Sequence, residues 1–153
     1  MINKDLKYMK EAFKEALKAY DKKEVPVGCV IVYQDKIVAR AHNLRHNNQC
    51  SLDHAELLAI KKACKKLNNW ILSDCVMYVT LEPCLMCSGA IVQSRIKKVV
   101  YGASEDRFGC FHDALKYFDG KQNHKVEIQN GLMKNEIEEL MKNFFKELRE
   151  EKN

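Results

Sequence analysis

Residues 75–102 read CVMYVTLEPCLMCSGAIVQSRIKKVVYG, and the reading of this stretch decides the fold. Residues 75–80 are nearly all apolar, with the length and composition of a strand buried on both faces. Pro83 follows, and proline favours the first positions of a helix, so a helix is predicted from about 84 to 94. Val99, Val100 and Tyr101 make the next strand, ended by Gly102. A strand, a crossover helix and a second strand call for parallel pairing.

Working outward, Leu6, Met9, Phe13, Ala16, Leu17 and Tyr20 recur at helical spacing, so residues 5–21 are predicted as an amphipathic helix. Residues 27–33 (VGCVIVY) are a continuous apolar run. Gln34-Asp35-Lys36 turns the chain into Ile37-Val38-Ala39, giving an antiparallel hairpin. Residues 43–53 are polar and irregular. Asp53 is placed to cap a helix running to about Leu67, with Leu57, Leu58, Ile60 and Ala63 facing the core. Beyond Gly102 come a loop with Gly109, a short helical piece near 112–118 and a fifth strand at 126–128. The last helix, 134–150, carries Ile137, Leu140, Met141, Phe144, Phe145 and Leu148 on one stripe. Buried strands alternating with helices predict an α/β protein: a three-layer α/β/α sandwich on a five-stranded mixed sheet that opens with an antiparallel hairpin.

A length of 153 residues suits one domain, 1–153. With 46% hydrophobic and 31% charged residues the composition is that of a globular protein. The opening MINKDLKYMK has no apolar segment of the signal-peptide kind, and no window approaches the roughly 18 apolar residues of a membrane helix. A cytoplasmic location is expected. The net charge of +5 permits an anionic partner without demanding one. Seven cysteines cannot all pair with one another, and in a reducing compartment thiols serve as ligands, catalytic groups or small hydrophobes. Cys29, Cys64 and Cys75 fall in apolar runs and are read as core; Cys50 and Cys110 lie in loops; only Cys84 and Cys87 have ligand spacing.

Two short motifs carry chemistry: His54-Ala55-Glu56 and Pro83-Cys84-Leu85-Met86-Cys87. A catalytic zinc usually takes three protein ligands and keeps a fourth position for water. His54, Cys84 and Cys87 fit the three, and Glu56 stands near enough to move protons. Cysteines three apart share one helix face, and a helix N-terminus favours the thiolate that zinc requires. Glu56 would point about 200° away from His54 on a regular helix, so the pair works only if the first turn is unwound. A closed structural zinc would need a fourth protein ligand, for which His42 and His46 are the nearest alternatives. The pattern H-x-E…P-C-x-x-C is the signature of zinc-dependent nucleobase deaminases.

The chain resembles the tRNA-specific adenosine deaminases of the cytidine-deaminase-like superfamily. The resemblance extends to Val25-Pro26-Val27-Gly28, Asn43, Thr80-Leu81-Glu82-Pro83-Cys84, Ser94-Arg95-Ile96, Val100-Tyr101-Gly102-Ala103, Asn123-His124 and Phe144-Phe145-Lys146. It implies hydrolytic deamination of adenosine to inosine at the wobble position of a tRNA anticodon. It also implies one zinc per subunit on His54, Cys84 and Cys87, with Glu56 as proton shuttle. Asn43 would hydrogen-bond the flipped nucleotide, with Val27 and Ala55 at the pocket. Arg45, Asn123, Phe144 and Arg149 are candidates for RNA contact, and a homodimer is implied. An anticodon loop suits such a site because its bases are unpaired and can be splayed outward.

Two positions depart from the family pattern. Asp53 precedes His54 where a small residue such as alanine is expected, and residues 109–114 (GCFHDA) replace a Gly/Ser-rich turn. The first rival reading is therefore a deaminase of a free base or nucleotide, of guanine or cytosine type, built on the same zinc site. A second is a zinc module that binds RNA without catalysis, for which Glu56 would have no use.

Overall fold

The structure is a computed structural model and describes residues 4–107, 109–118 and 124–152. Its elements run α1 (Lys4–Asp21), β1 (Gly28–Tyr33), β2 (Lys36–His42), α2 (Ala55–Leu67), β3 (Cys75–Leu81), α3 (Leu85–Gln93), β4 (Lys98–Ala103), α4 (Phe111–Phe118), β5 (Glu127–Asn130) and α5 (Lys134–Lys152). The strands form one sheet in the order β2-β1-β3-β4-β5.

The alternating residues of the central strands separate onto two faces, as the pleat requires. Cys29, Ile31, Met77, Val79, Val99 and Tyr101 join a core with Ala55, Ala59 and Ala63 of α2, Ile91 of α3 and Phe111 of α4. Val30, Val32, Tyr78 and Val100 join the other core, with Tyr8, Met9 and Ala12 of α1 and Ile137 of α5. Both faces are covered, which is why these strands read as unbroken apolar runs. The three-layer α/β/α architecture follows.

Pairing of β1 with β2 is antiparallel, with Gln34 (φ 50°) and Asp35 (φ 63°) at the tip. Two consecutive left-handed residues match the turn that suits the twist of a hairpin. The register slips between Ile31 and Val32, so Ile31 faces Ala39 whereas Val32 faces Ile37. The β2-α2-β3 crossover does not make sequence neighbours parallel. It carries the chain over β1, so β3 pairs antiparallel with β1 and parallel pairing begins only at β3–β4 and continues at β4–β5.

Several boundaries differ from expectation. Asp53 does not cap α2: His54 holds that position, and the Asp53 carboxylate instead accepts a hydrogen bond from Asn48 Nδ2 at 2.8 Å. Pro83 stands outside α3, whose cap is Cys84. Gly102 does not end β4 but lies within it. A Cβ there would meet Ile137 Cδ1 at 2.1 Å and the Leu132 carbonyl at 2.8 Å, so the glycine admits α5 onto the sheet. Cys29 and Cys75 are buried in the core, whereas Cys64 is only half-buried.

Gly28 is the tightest contact between α1 and the sheet. A Cβ at that position would lie 2.0 Å from the Ala12 carbonyl oxygen and 2.4 Å from the Ala16 nitrogen, both backbone atoms. Gly28→Ala must push α1 off β1, and overpacking of a core costs about 1–3 kcal/mol even where side chains can yield. Thermal unfolding should show Tm lower by roughly 2–12 °C, and an unchanged Tm would contradict this packing.

Candidate active site

Two helix starts meet on one side of the sheet. His54 precedes α2 in an extended conformation (φ −75°, ψ 152°), and Cys84 precedes α3 likewise (φ −75°, ψ 177°). Neither side chain caps its own helix, so each is free to project across the gap between them. His54 Nδ1 lies 3.7 Å from Cys84 Sγ and 3.5 Å from Cys87 Sγ. The three donor atoms lie within 4.8 Å of one another, and among the described residues no further His, Cys, Asp or Glu joins the group.

These distances test the donor set. Zinc bonds of about 2.3 Å to sulfur and 2.0–2.1 Å to nitrogen, at tetrahedral angles, put nitrogen and sulfur about 3.6 Å apart. The His54 separations are the edges of such a tetrahedron. The residues fit a divalent metal ion of the zinc type, with one corner left for something other than protein. His42 is not a fourth ligand: its ring nitrogens face Glu15 Oε1 at 2.9 Å and Lys22 Nζ at 3.0 Å.

The electrostatics agree. A hydrogen bond from the Cys87 thiol, aided by His54, holds Cys84 down to about 4 against the penalty of burial, so Cys84 is a thiolate. Cys87, fully buried, keeps its proton beside that thiolate and has its pKa raised. The Cys84 sulfur in turn raises the imidazole of His54. Metal binding requires deprotonated ligands, so loading this site releases protons.

Glu56 is 4% exposed in the first turn of α2. The helical offset from His54 does not apply, because His54 is extended and outside the helix. The carboxylate reaches the Cys87 thiol, and burial, with the charge of Cys84 adding to it, pushes Glu56 up to about 7. A carboxyl poised there can both take and give a proton near neutral pH.

The surrounding loop is tightly drawn. Asn43 is 8% exposed. Its backbone N–H donates to the Val27 carbonyl at 3.1 Å, Nδ2 donates to the Val25 carbonyl at 3.3 Å, and Oδ1 accepts from the Arg45 N–H at 3.1 Å. Val27 packs half-buried against the core on the α2 side, and Ala55 is fully buried. Arg45 is exposed, and its charge is near enough to His54 to oppose the imidazolium. Phe144 and Arg149 lie on α5, in the opposite helical layer. The Phe144 ring is buried against Tyr20 at 6.0 Å between centroids, whereas Arg149 is exposed. Asn123 lies outside the described residues.

Both departures from the family pattern have internal partners. Besides its bond from Asn48, Asp53 accepts the Leu44 N–H on its carbonyl at 3.0 Å, closing the 43–53 loop. Phe111 is fully buried, edge-on to Tyr101, and His112 Nε2 lies 2.6 Å from the Tyr101 hydroxyl. Two carboxylates have roles that the sequence did not assign. Glu82 accepts the N–H groups of Glu105 and Phe111, each at 3.2 Å, tying the 105–111 segment to the metal loop. Glu24, 3% exposed, holds the loop after Asn43. An acidic residue directly before an apolar strand was the available signal for Glu24.

Known proteins bear on this geometry. Residues 3–149 match the MafB19-like deaminase family. The chain is 47% identical over 152 residues to the tRNA-specific adenosine deaminase of Bacillus subtilis, covering 99% of this chain and 94% of that one. A solved structure from work on A-to-I editing by tRNA:A34 deaminases at the wobble position superposes with a TM-score of 0.83. It is 33% identical and covers 88% of this chain and 99% of its own. The guanine deaminase of Bacillus subtilis is also similar, at a TM-score of 0.61 and 38% identity, over 64% of this chain and 63% of that one. Likeness of this extent to the adenosine deaminase, over nearly the whole of both chains, means that the chain belongs to the family of tRNA-specific adenosine deaminases.

Proposed function

We propose that this protein is a zinc-dependent hydrolase that deaminates adenosine to inosine at the wobble position of a tRNA anticodon. The observation that carries the chemistry is the His54–Cys84–Cys87 group, with both His54–sulfur separations at tetrahedral-edge distance and buried Glu56 against it. The substrate rests on full-length identity to the tRNA-specific enzyme of Bacillus subtilis.

His54, Cys84 and Cys87 hold one zinc ion per subunit. When bound, the metal supplies a Lewis acid that brings the pKa of water toward about 7. Glu56 takes the proton of the water that attacks C6 of adenine and delivers it to the adjacent ring nitrogen. It then takes the remaining proton of that water, now on the C6 hydroxyl, and passes it to the amino group, so that C6=O forms as the C6–N bond breaks and ammonia leaves. Asn43 fixes the flipped nucleotide, with Val27 and Ala55 forming its pocket, and burial of the site keeps bulk water from competing. Arg45 and Arg149 meet RNA phosphates, and Asn123 is a further contact. The internal bonding of Asp53, Phe111 and His112 supports a pocket that keeps the family's substrate: these side chains brace loops and do not line a new specificity site.

A second copy of the chain completes the enzyme. Leu52 (57% exposed) and Leu85 (66% exposed) stand next in sequence to the two ligand-bearing helix starts, and these are the apolar side chains that the second copy would cover. The reduced ligand thiols and the tRNA substrate suit the cytoplasm; among the described residues no helix is long and apolar enough to cross a membrane.

Glu56→Ala should keep its zinc and lose turnover by at least about 10²–10⁴-fold, the range for a general acid–base group. Zinc analysis beside an ammonia assay reads both, and turnover near the wild-type rate sinks the shuttle role. Cys87→Ala removes one of three ligands, so metal analysis of the purified protein should find zinc largely gone; full occupancy would overturn the ligand set. For the substrate, an anticodon stem-loop bearing adenosine at the wobble position should release ammonia, and guanine and cytosine should not. Release from a free base alone would replace the tRNA reading with that of a free-base deaminase.

A further inference from the structure

Glu24 lies between α1 and β1, away from the metal site, yet its carboxylate is 3% exposed and wholly engaged with the substrate loop. Oε1 accepts the His46 N–H at 3.0 Å. Oε2 accepts the Asn47 N–H at 2.5 Å and Asn47 Nδ2 at 2.7 Å. The same Asn47 amide donates to the Lys22 carbonyl at 3.1 Å. Glu24 is itself bolted to α1, its N–H donating to the Ala19 carbonyl at 2.9 Å. Burial alone would raise the carboxyl, but the bonds from Asn47 and His46 prevail and lower it, so it is ionised.

The residues it grips continue directly from Asn43 and Arg45. Asn48 N–H bonds to the Leu44 carbonyl at 2.8 Å and Cys50 N–H to the Arg45 carbonyl at 3.0 Å, with Gln49 in a left-handed conformation (φ 50°). The segment therefore moves as one compact turn. It is tied to β1 by Asn43, on Val25 and Val27, and to the end of α1 by Glu24, while Asp53 closes it on the α2 side through the Leu44 N–H and Asn48 Nδ2. Arg45 lies between the two anchors, its own N–H held by Asn43 Oδ1. Losing the Glu24 anchor leaves two consecutive backbone donors without their acceptor and loosens the turn at residues 46 and 47, next to Arg45, with only the Asn47 bond to Lys22 and the Asp53 bonds left to hold it.

We propose that Glu24 is a positioning residue: it clamps residues 46 and 47 so that Asn43 and Arg45 are preset for the anticodon loop, acting on substrate binding and not on proton transfer. Preorganisation of this kind lowers the ordering cost of binding, so its loss shows in KM before kcat. The inference rests on the tRNA reading above.

The test compares wild type, Glu24→Ala and Glu24→Gln for zinc content, amide exchange over residues 44–50, and kcat and KM on the adenosine stem-loop. Glu24→Ala should keep its zinc, lose protection at the His46 and Asn47 amides, and raise KM by about tenfold or more with kcat changed less than about threefold. Glu24→Gln keeps one acceptor oxygen and the same volume, so it should fold and fall between the two. If the alanine variant fails to fold, the glutamine variant decides. Lost amide protection with KM unchanged overturns the proposal, as does an equal fall in kcat and kcat/KM. If wild type deaminates guanine and not the stem-loop, the tRNA reading fails on its own account. The clamp is then judged on KM for guanine, where no change in either variant overturns it.

Discussion

Three donor atoms on two helix starts, all within 4.8 Å of one another, are the constraint on which the rest of this protein turns. His54 and Cys84 occur at equivalent places, each the extended residue before a helix, and only that conformation lets both side chains turn inward. The sheet makes it possible. β1 and β3 are neighbours, α2 and α3 pack on the same face, and each helix begins where a loop or a strand ends above that face. Any movement of α2 against α3 changes the donor spacing directly, so the close packing of Ala55, Ala59, Ala63 and Ile91 is part of the metal site.

The same geometry explains Glu56. A carboxylate at 4% exposure would be a liability in an inert core, because burial disfavours its charge. Here that burial, beside the Cys84 thiolate, moves its titration into the neutral range, where a proton carrier is useful. The carboxylates of Glu24, buried, and Glu82, half-buried, behave differently. Each accepts backbone N–H groups from a loop that borders the site, and each joins that loop to the frame. Three carboxylates thus border one candidate site: Glu56 beside the donor group, and Glu24 and Glu82 on the loops around it.

Much of this was legible in the chain. The elements with strong periodicity, α1, α5 and the apolar strands, fall where their spacing predicts, since burial on a face imposes a period that no other demand disturbs. Boundaries at the site itself were harder. Asp53 and Pro83 carry ordinary helix-start signals, yet the caps are His54 and Cys84, because reaching a common point outweighs the local preference for an oxygen cap. Gly102 reads as a strand end but is a strand interior, its lack of a side chain being needed by Ile137, which is 35 residues away and invisible to any local window.

The sequence by itself determined the candidate donor types, the candidate proton carrier and the alternation of strands and helices, because these depend on residue identity and short-range period. Only the tertiary structure decided what those residues face. It made β3 antiparallel to β1 by carrying a crossover over the hairpin, and brought His54 to within 3.7 Å of Cys84 across 30 residues. It also gave Asp53 and His112 to loop bracing, and set Glu24 beneath the loop that carries Asn43 and Arg45. Those outcomes depend on contacts between segments far apart in the chain. Their energies are settled by packing and by the satisfaction of buried polar groups, neither of which a local pattern encodes.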